Sequence, residues 1–143
     1  MIDHIAKAEL KIHSNVNKVW NALVDPDMIK QYMFGATVIS DWKEGSDIIW
    51  KGEWEGKTYQ DKGTILQMVP TKKLQYSHFS PLSGLEDIPE NYHTVSFVLS
   101  EEPDGTLITL LQDNNASEEV KKHSEKNWMM MLSNLKELLE KNN

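Results

Sequence analysis

The hydrophobic pattern of the chain changes between two periods, and its longest helical stretch covers residues 117–141. Apolar side chains three, four and seven residues apart lie on one side of an α-helix. In this stretch they are Val120, Trp128, Met131, Leu132, Leu135, Leu138 and Leu139. The opposite side carries charged pairs such as Glu137 and Lys141, which suit a solvated face. The pattern predicts one amphipathic helix over Ser117–Lys141, capped by Asn115 or Ser117.

Most of the remaining chain follows a period of two residues, which is typical of β-strands. The first strand is predicted over Ile2–Ile12. Later strands are predicted at residues 36–41, 48–54, 58–69, 74–80, 92–100 and 106–113. Turn signals such as Glu55-Gly56 and Asp104-Gly105 separate neighbouring strands. Gly63, inside the longest strand, predicts a bulge or bend.

Two short helices are predicted between the first and second strands. Ser14 or Asn15 can cap the first helix, and Asp25-Pro26 ends it. Pro26 can also open the second helix, because its ring suits the first helical position. The element order is then β-α-α-β-β-β-β-β-β-α. We expect an α+β fold in which a curved antiparallel sheet of about seven strands wraps around the long C-terminal helix, as a single domain over residues 1–143.

Composition narrows the classes of partner. The 143 residues are enough for one domain with a real core, and the formal net charge is −7. An acidic chain lacks the basic surface that nucleic acid or an anionic membrane requires. There is no cysteine, so disulfides and thiolate chemistry are excluded. The start MIDHIAKAEL lacks the apolar core of a signal peptide, and no apolar run could span a bilayer, which indicates a cytoplasmic protein.

Four segments of the chain carry a resemblance to a known superfamily. They are VWNALVDP (19–26), GTILQMVPTKKLQY (63–76), VSFVL (95–99) with GTLITL (105–110), and WMMMLSNLKELLE (128–140). In this order they resemble the SRPBCC superfamily, whose START-like helix-grip fold encloses an internal cavity. The resemblance is to the branch named after the C-terminal domain of the activator of Hsp90 ATPase. The chain differs from that branch at Tyr32-Met33-Phe34, where a Trp pair or Trp-Phe is common, and at His78, where a Trp is common.

The helix-grip arrangement predicts a space between the sheet and the long helix. The residues expected to line it are Trp50, Trp54, Tyr76, His78, Phe97, Ile108, Leu110, Gln112, Trp128, Met131 and Leu135. Most are apolar or aromatic, with Tyr76, His78 and Gln112 as the polar groups. Such a lining is typical of a small-ligand site. The alternative is that the same side chains form an ordinary packed core with hydrogen-bonded tips.

The loop over residues 81–91 contains three apolar side chains, Leu82, Leu85 and Ile88, and Tyr92 follows it. A fully solvated loop does not need them, so we expect the loop to cover one end of the cavity as a lid. The alternative is a compact loop that caps the core.

Catalytic and metal motifs are weak. No serine lies in G-x-S-x-G, and HExxH is absent. We expect His78 and His93 to face different sides and to be hydrogen-bonded residues at a pocket rim or loop base, with no metal and no cofactor. If the protein is an enzyme, Tyr76, His78 and Tyr92 are the candidate acid-base groups.

The sequence therefore favours binding of a small hydrophobic or amphipathic ligand, such as a lipid, without catalysis. The resemblance implies two alternatives, a co-chaperone-like interaction domain with a role in stress response and a cyclase- or hydrolase-like enzyme. Expected partners are a small molecule and a chaperone, with neither nucleic acid nor membrane insertion, and the protein is expected to be a monomer or homodimer.

Overall fold

The computed structural model describes residues 4–141, except the side chain of Trp54. Its helices are α1 (Val16–Val24), α2 (Pro26–Tyr32) and α3 (Glu118–Lys141). Its strands are β1 (His4–Ile12), β2 (Thr37–Ser40), β3 (Asp47–Trp54), β4 (Lys57–Val69), β5 (Lys73–His78), β6 (His93–Glu102) and β7 (Gly105–Asn115). The order of elements matches the sequence prediction, and the predicted start of the first strand at residues 2–3 lies outside the described residues.

The seven strands form one antiparallel sheet in the order β1-β7-β6-β5-β4-β3-β2. The first strand pairs with the last, so β1 forms one edge of the sheet. Helix α3 lies mainly against β1, and α2 packs on β2 and α3. The predicted α+β helix-grip fold is confirmed.

The core extends along the inner face of the sheet, from β1 to β2, and includes residues of all three helices. Met131, Leu132 and Leu135 on α3 are at most 1% exposed, and they belong to the same buried cluster as Ile108 and Leu110 of β7. These residues repeat at the spacing of one helical face and one sheet face. The amphipathic pattern of the sequence therefore decides which side of each element is buried.

The helix caps follow the local sequence. The Lys18 N–H donates to Asn15 Oδ1 at 2.9 Å at the start of α1. The Val120 N–H donates to Ser117 Oγ at 3.2 Å at the start of α3. Of the two predicted caps of α3, Ser117 fills the role, while the Asn115 amide donates to the His4 carbonyl at 2.8 Å.

Helix α3 also protects the outer edge of β1. The Lys7 N–H donates to Glu125 Oε2 at 2.9 Å, and the His13 N–H donates to Glu140 Oε2 at 2.8 Å. Lys136 Nζ donates to the Lys11 carbonyl at 3.0 Å. Unpaired edge groups are a template for unwanted strand pairing, so these bonds close an edge that the sheet leaves open.

The irregularity predicted at Gly63 lies elsewhere on β4. The pairing register of β4 with β5 shifts between Ile65 and Gln67, not at the glycine. Gly63 is instead a point of close approach, because a Cβ there would lie 1.7 Å from the Ser77 carbonyl oxygen. No helix within residues 4–141 is long and apolar enough to cross a membrane.

Candidate functional site

The hairpin of β3 and β4 places an aromatic residue opposite a carboxylate. Trp50 pairs with Asp61, and Gly52 pairs with Tyr59. Paired residues of an antiparallel ladder point to the same face of the sheet. The Tyr59 ring fills the space above Gly52, since a Cβ at the glycine would lie 2.5 Å from Tyr59 Oη. The hairpin register therefore gathers Trp50, Tyr59 and Asp61 on one face.

A pocket of about 120 Å³ opens beside this face, between the sheet, the end of α2 and helix α3. We call it the aromatic pocket. Its lining residues are Met33, Phe34, Ala36, Trp50, Tyr59, Asp61, Tyr76, His78 and Trp128. The ring centroids of Trp50 and Tyr76 are 4.9 Å apart, and those of Trp50 and His78 are 5.0 Å apart. Aromatic rings therefore form most of the wall, and the Trp50 ring contacts those of Tyr76 and His78.

Asp61 and His78 form the polar part of the aromatic pocket. His78 Nε2 lies 2.9 Å from Asp61 Oδ2, and the two side chains are 27% and 14% exposed respectively. The other carboxylate oxygen, Oδ1, is buried and has no hydrogen-bond partner among the described residues. Burial, with the nearby Asp61 carboxylate as a smaller cause, raises the pKa of Tyr59 above its ordinary value.

The histidine pair differs from the sequence prediction. His78 and His93 are direct cross-strand partners, so they face the same side of the sheet rather than different sides. Their ring centroids are 6.3 Å apart. His93 Nδ1 lies 2.9 Å from the Asp113 carbonyl oxygen, to which it donates. The predicted hydrogen-bonded role of both histidines is confirmed.

A second, deeper recess shares Met33, Trp50 and Tyr76 with the aromatic pocket and lies toward the core. Its volume is only about 10 Å³, roughly that of one water-sized probe. Trp50, Tyr76 and Phe97 are among its walls. Burial raises the pKa of Tyr76 well above its ordinary value, so this phenol stays protonated. The interior is therefore closed beyond Tyr76.

The residues predicted to line the cavity lie in different parts of the structure. Trp50, Tyr76, His78 and Trp128 line the aromatic pocket, and Phe97 lines the deeper recess. Gln112 is 8% exposed and accepts a hydrogen bond from Trp128 Nε1, which fixes the indole at the edge of the pocket. Four others are part of the buried core, namely Ile108, Leu110, Met131 and Leu135. The side chain of Trp54 lies outside the described part of the chain.

The loop at residues 81–91 occupies the other face of the sheet. Lys62 pairs with Ile49 and with Phe79, so these three side chains point away from Trp50. Lys62 forms an ion pair with Asp87 of the loop, and the rings of Phe79 and Tyr92 stack at 5.1 Å. The loop is therefore anchored on the outer face, and none of its residues lines the aromatic pocket.

The side chains expected to form a lid lie with the loop on the outer face of the sheet. Leu82 and Leu85 are 53% and 57% exposed, and Ile88 is partly buried. The Tyr92 hydroxyl donates to Asp87 Oδ1 at 2.5 Å, and this bond is the main cause that raises the pKa of Tyr92. In this structure the loop covers β4 from outside rather than the pocket from inside.

The pocket residues that sequence reasoning missed are Asp61, Tyr59 and Ala36. The sequence did contain a signal for Asp61 and Tyr59, because the turn at Glu55-Gly56 determines which residues of β3 and β4 pair. Within residues 4–141, no group of three His, Asp or Glu side chains could hold a metal ion. A wider surface depression of about 500 Å³ near the start of α1 is open and mostly polar, and it contains none of the predicted site residues.

Comparison with known proteins agrees with the fold. The model of the family described as "Activator of Hsp90 ATPase homolog 1-like protein" matches residues 13–140. No curated protein sequence matches the chain at a significant level. Among solved structures, the solution structure of ChR145 from Cytophaga hutchinsonii is 56% identical, with a TM-score of 0.86, and the match covers 96% of this chain and 94% of that one.

Two more distant structures share the fold alone. The Aha1 dimer from Colwellia psychrerythraea is 19% identical, with a TM-score of 0.74 and coverage of 98% of this chain and 97% of that one. CalU16 from Micromonospora echinospora is 23% identical, with a TM-score of 0.69 and coverage of 96% and 82% respectively. The same sheet and helix therefore recur in proteins of very different sequence.

Proposed function

This chain belongs to the family of Activator of Hsp90 ATPase homolog 1-like proteins, and from that premise we propose that it binds a small apolar or amphipathic molecule in the aromatic pocket. The observation that carries the proposal is the pocket itself, whose wall includes Trp50, Tyr76 and Trp128. A concave, mostly apolar site with a few polar groups is the usual form of a small-molecule site. The partly buried pair of Asp61 and His78 supplies those polar groups.

The size of the pocket limits the ligand. An apolar cavity of about 150 Å³ can hold benzene, and the aromatic pocket is of similar size at about 120 Å³. The part of the ligand that enters therefore has the volume of a single small ring or a short branched chain. A longer molecule, such as a lipid, would have to leave most of its chain outside, beyond the half-exposed Phe34.

Binding without catalysis is supported by the distribution of the acid-base candidates. Tyr92 lies on the outer face of the sheet, whereas His78 lies in the pocket. Tyr76 is held protonated by burial. Of the three candidate acid-base groups, only His78 therefore contacts a carboxylate in the pocket, that of Asp61.

Blocking the pocket tests the proposal. Ala36 is 3% exposed and lines the pocket, so Ala36→Met directs a longer side chain into the space. We expect the wild type to bind neutral probes such as benzyl alcohol, indole or 3-methylbutan-1-ol with Kd about 1 mM or tighter, from their six to nine non-hydrogen atoms. Ala36→Met should weaken this binding at least about tenfold, measured by calorimetric or NMR titration.

The matched control is Ala116→Met, which adds the same side chain at an exposed position before α3. It should bind the probes as the wild type does, and thermal unfolding should show that both variants are folded. If no neutral probe binds the wild type, or if the two variants bind equally well, the proposed function is wrong.

A second candidate is interaction with a chaperone, as a monomer or homodimer. It is supported by the family description and by the dimeric state of the Aha1 protein from Colwellia psychrerythraea. Exposed apolar side chains such as Phe34 and Met130 are available for a protein contact. The test is the ATPase rate of Hsp90 with and without this chain, and an unchanged rate would remove the candidate.

A further inference from the structure

The walls of the aromatic pocket are suited to a positive charge. Trp50 and Tyr76 meet at 4.9 Å with their planes tilted by 53°, and Tyr59 and Trp128 complete the wall. The face of an aromatic ring carries negative electrostatic potential. A cation within about 6 Å of a ring centroid is therefore attracted to it, and more strongly when water is excluded.

A carboxylate lies within the same pocket and lacks one partner. Asp61 Oδ2 is bonded to His78 Nε2 at 2.9 Å, but Oδ1 has no hydrogen-bond donor among the described residues. A buried polar atom without a partner costs free energy, and the cost is larger for a charged group. The vacant acceptor therefore favours a ligand that brings an N–H or O–H donor.

The formal charge among the residues that line the aromatic pocket is negative. None of the nine lining residues that the structure describes is Lys or Arg, and Asp61 is the one carboxylate among them. An anionic ligand would be repelled, whereas a cation would be attracted by both the carboxylate and the rings.

We propose that the aromatic pocket selects a small organic ammonium ion that carries at least one N–H, an inference that rests on the ligand-binding function proposed above. The N–H donates to the Asp61 carboxylate, and the alkyl groups on the nitrogen pack against Trp50, Tyr76 and Trp128. A dimethylammonium group fits the volume of about 120 Å³. The rest of the molecule leaves past Phe34, which lines the pocket and is 54% exposed.

Two probes of the same shape, one charged and one neutral, isolate the effect of charge on affinity. N,N-dimethylethanolamine is protonated at pH 7.5, and 3-methylbutan-1-ol has the same heavy-atom skeleton without the charge. In 150 mM salt, where surface attraction is screened, we expect the ammonium ion to bind at least about tenfold more tightly. In an NMR titration, both probes should shift the indole N–H signals of Trp50 and Trp128.

The Asp61→Asn variant identifies the group responsible. It should reduce the preference for the ammonium ion to about twofold or less, while the affinity for 3-methylbutan-1-ol stays within about twofold of wild type. The retained binding of the neutral probe also shows that the variant is folded. Asp41→Asn, which removes an exposed carboxylate outside the pocket, is the matched control and should leave the preference unchanged.

The outcomes separate this inference from the proposed function. If the alcohol binds wild type as tightly as the ammonium ion, the charge selection is wrong while the proposed function stands. If the preference survives Asp61→Asn, the assignment of Asp61 is wrong. If the neutral probes of the preceding section also fail to bind, the proposed function fails together with the inference. Should Asp61→Asn not fold, the comparison of the two probes on the wild type still decides the charge selection.

Discussion

At the scale of single residues, Gly63 shows how one position limits the distance between two strands. A Cβ at Gly63 would lie 1.7 Å from the carbonyl oxygen of Ser77, far inside van der Waals contact. The neighbouring Thr64 N–H donates to Ser77 Oγ at 2.9 Å, so the two strands are held together at this point. Side-chain size at residue 63 therefore decides whether β4 and β5 keep the spacing that presents Asp61 beside His78.

Replacing this glycine should be costly. We expect Gly63→Ala to lower the free energy of unfolding by about 3 kcal/mol or more, because backbone must move to admit the methyl group. Gly45→Ala is the comparison, since Gly45 has φ +88° but open space around it. That change should cost about 1–2 kcal/mol from the backbone conformation alone. A urea denaturation series in which Gly63→Ala costs less than Gly45→Ala would contradict the contact argument.

The polar pair of the pocket was only half predictable. His78 shares strand parity with Leu74 and Tyr76, so the sequence indicates that it faces inward. The contact between Asp61 and His78 depends on how three strands pair. To predict it, one must know the register of β3 with β4 and that of β4 with β5. The first register follows from the turn at residues 55–56, but the second includes a shift after Ile65 that no sequence pattern revealed.

At the scale of elements, the contact between β1 and α3 depends on charged side chains of the helix. Glu140 accepts a hydrogen bond from the His13 N–H at 2.8 Å and forms an ion pair with Lys136. The His13 N–H, followed by the Lys136 ammonium, lowers the pKa of Glu140 from 4.5 to about 2. The ionised carboxylate therefore helps to hold the last turns of α3 on the edge of β1.

This pKa shift predicts a dependence of stability on pH. Because the pKa is lower in the folded than in the unfolded chain, the contribution of Glu140 is complete above about pH 4.5 and is lost as the pH falls toward about 2. Glu140→Gln should therefore be less stable than wild type at pH 7, by about 0.5–1 kcal/mol after allowance for solvent screening. The difference should shrink at pH 3.

Denaturant unfolding at the two pH values measures the effect. Glu137→Gln, at an exposed position of the same helix, is the control and should change stability little at either pH. A stability difference for Glu140→Gln that is equal at pH 7 and pH 3 would show that its carboxylate is not held ionised by β1.

The elements themselves were well predicted from the chain, because hydrophobic periods of two and of three to four residues are local signals. The boundaries of β3 and β4 differ from prediction by one residue, and α3 starts at Glu118 instead of Ser117. The loop at residues 81–91 was not predictable in the same way. Its apolar side chains indicate a contact, but its position on the outer face depends on the pairing of Lys62 with Phe79.

At the scale of the whole molecule, the sheet packs directly on α3 along one half, which we call the closed half. Along the other, the open half, a pocket remains between the sheet and the helix. The closed half contains Leu110, Met131 and Leu135, which are at most 1% exposed. The open half lies where Trp128 faces β3 to β5 and the segment after α2. Sequence patterns predict which faces meet, but the tilt of a helix across a curved sheet decides where a gap remains, and no local pattern encodes that tilt.

The most direct test of the account locates a bound molecule in the open half. An isotope-filtered NOE experiment on labelled protein with saturating benzyl alcohol should show contacts from the probe to Trp50, Tyr76 and Trp128. Contacts confined to Leu82 and Leu85 of the outer loop, or to no side chain of the aromatic pocket, would contradict it.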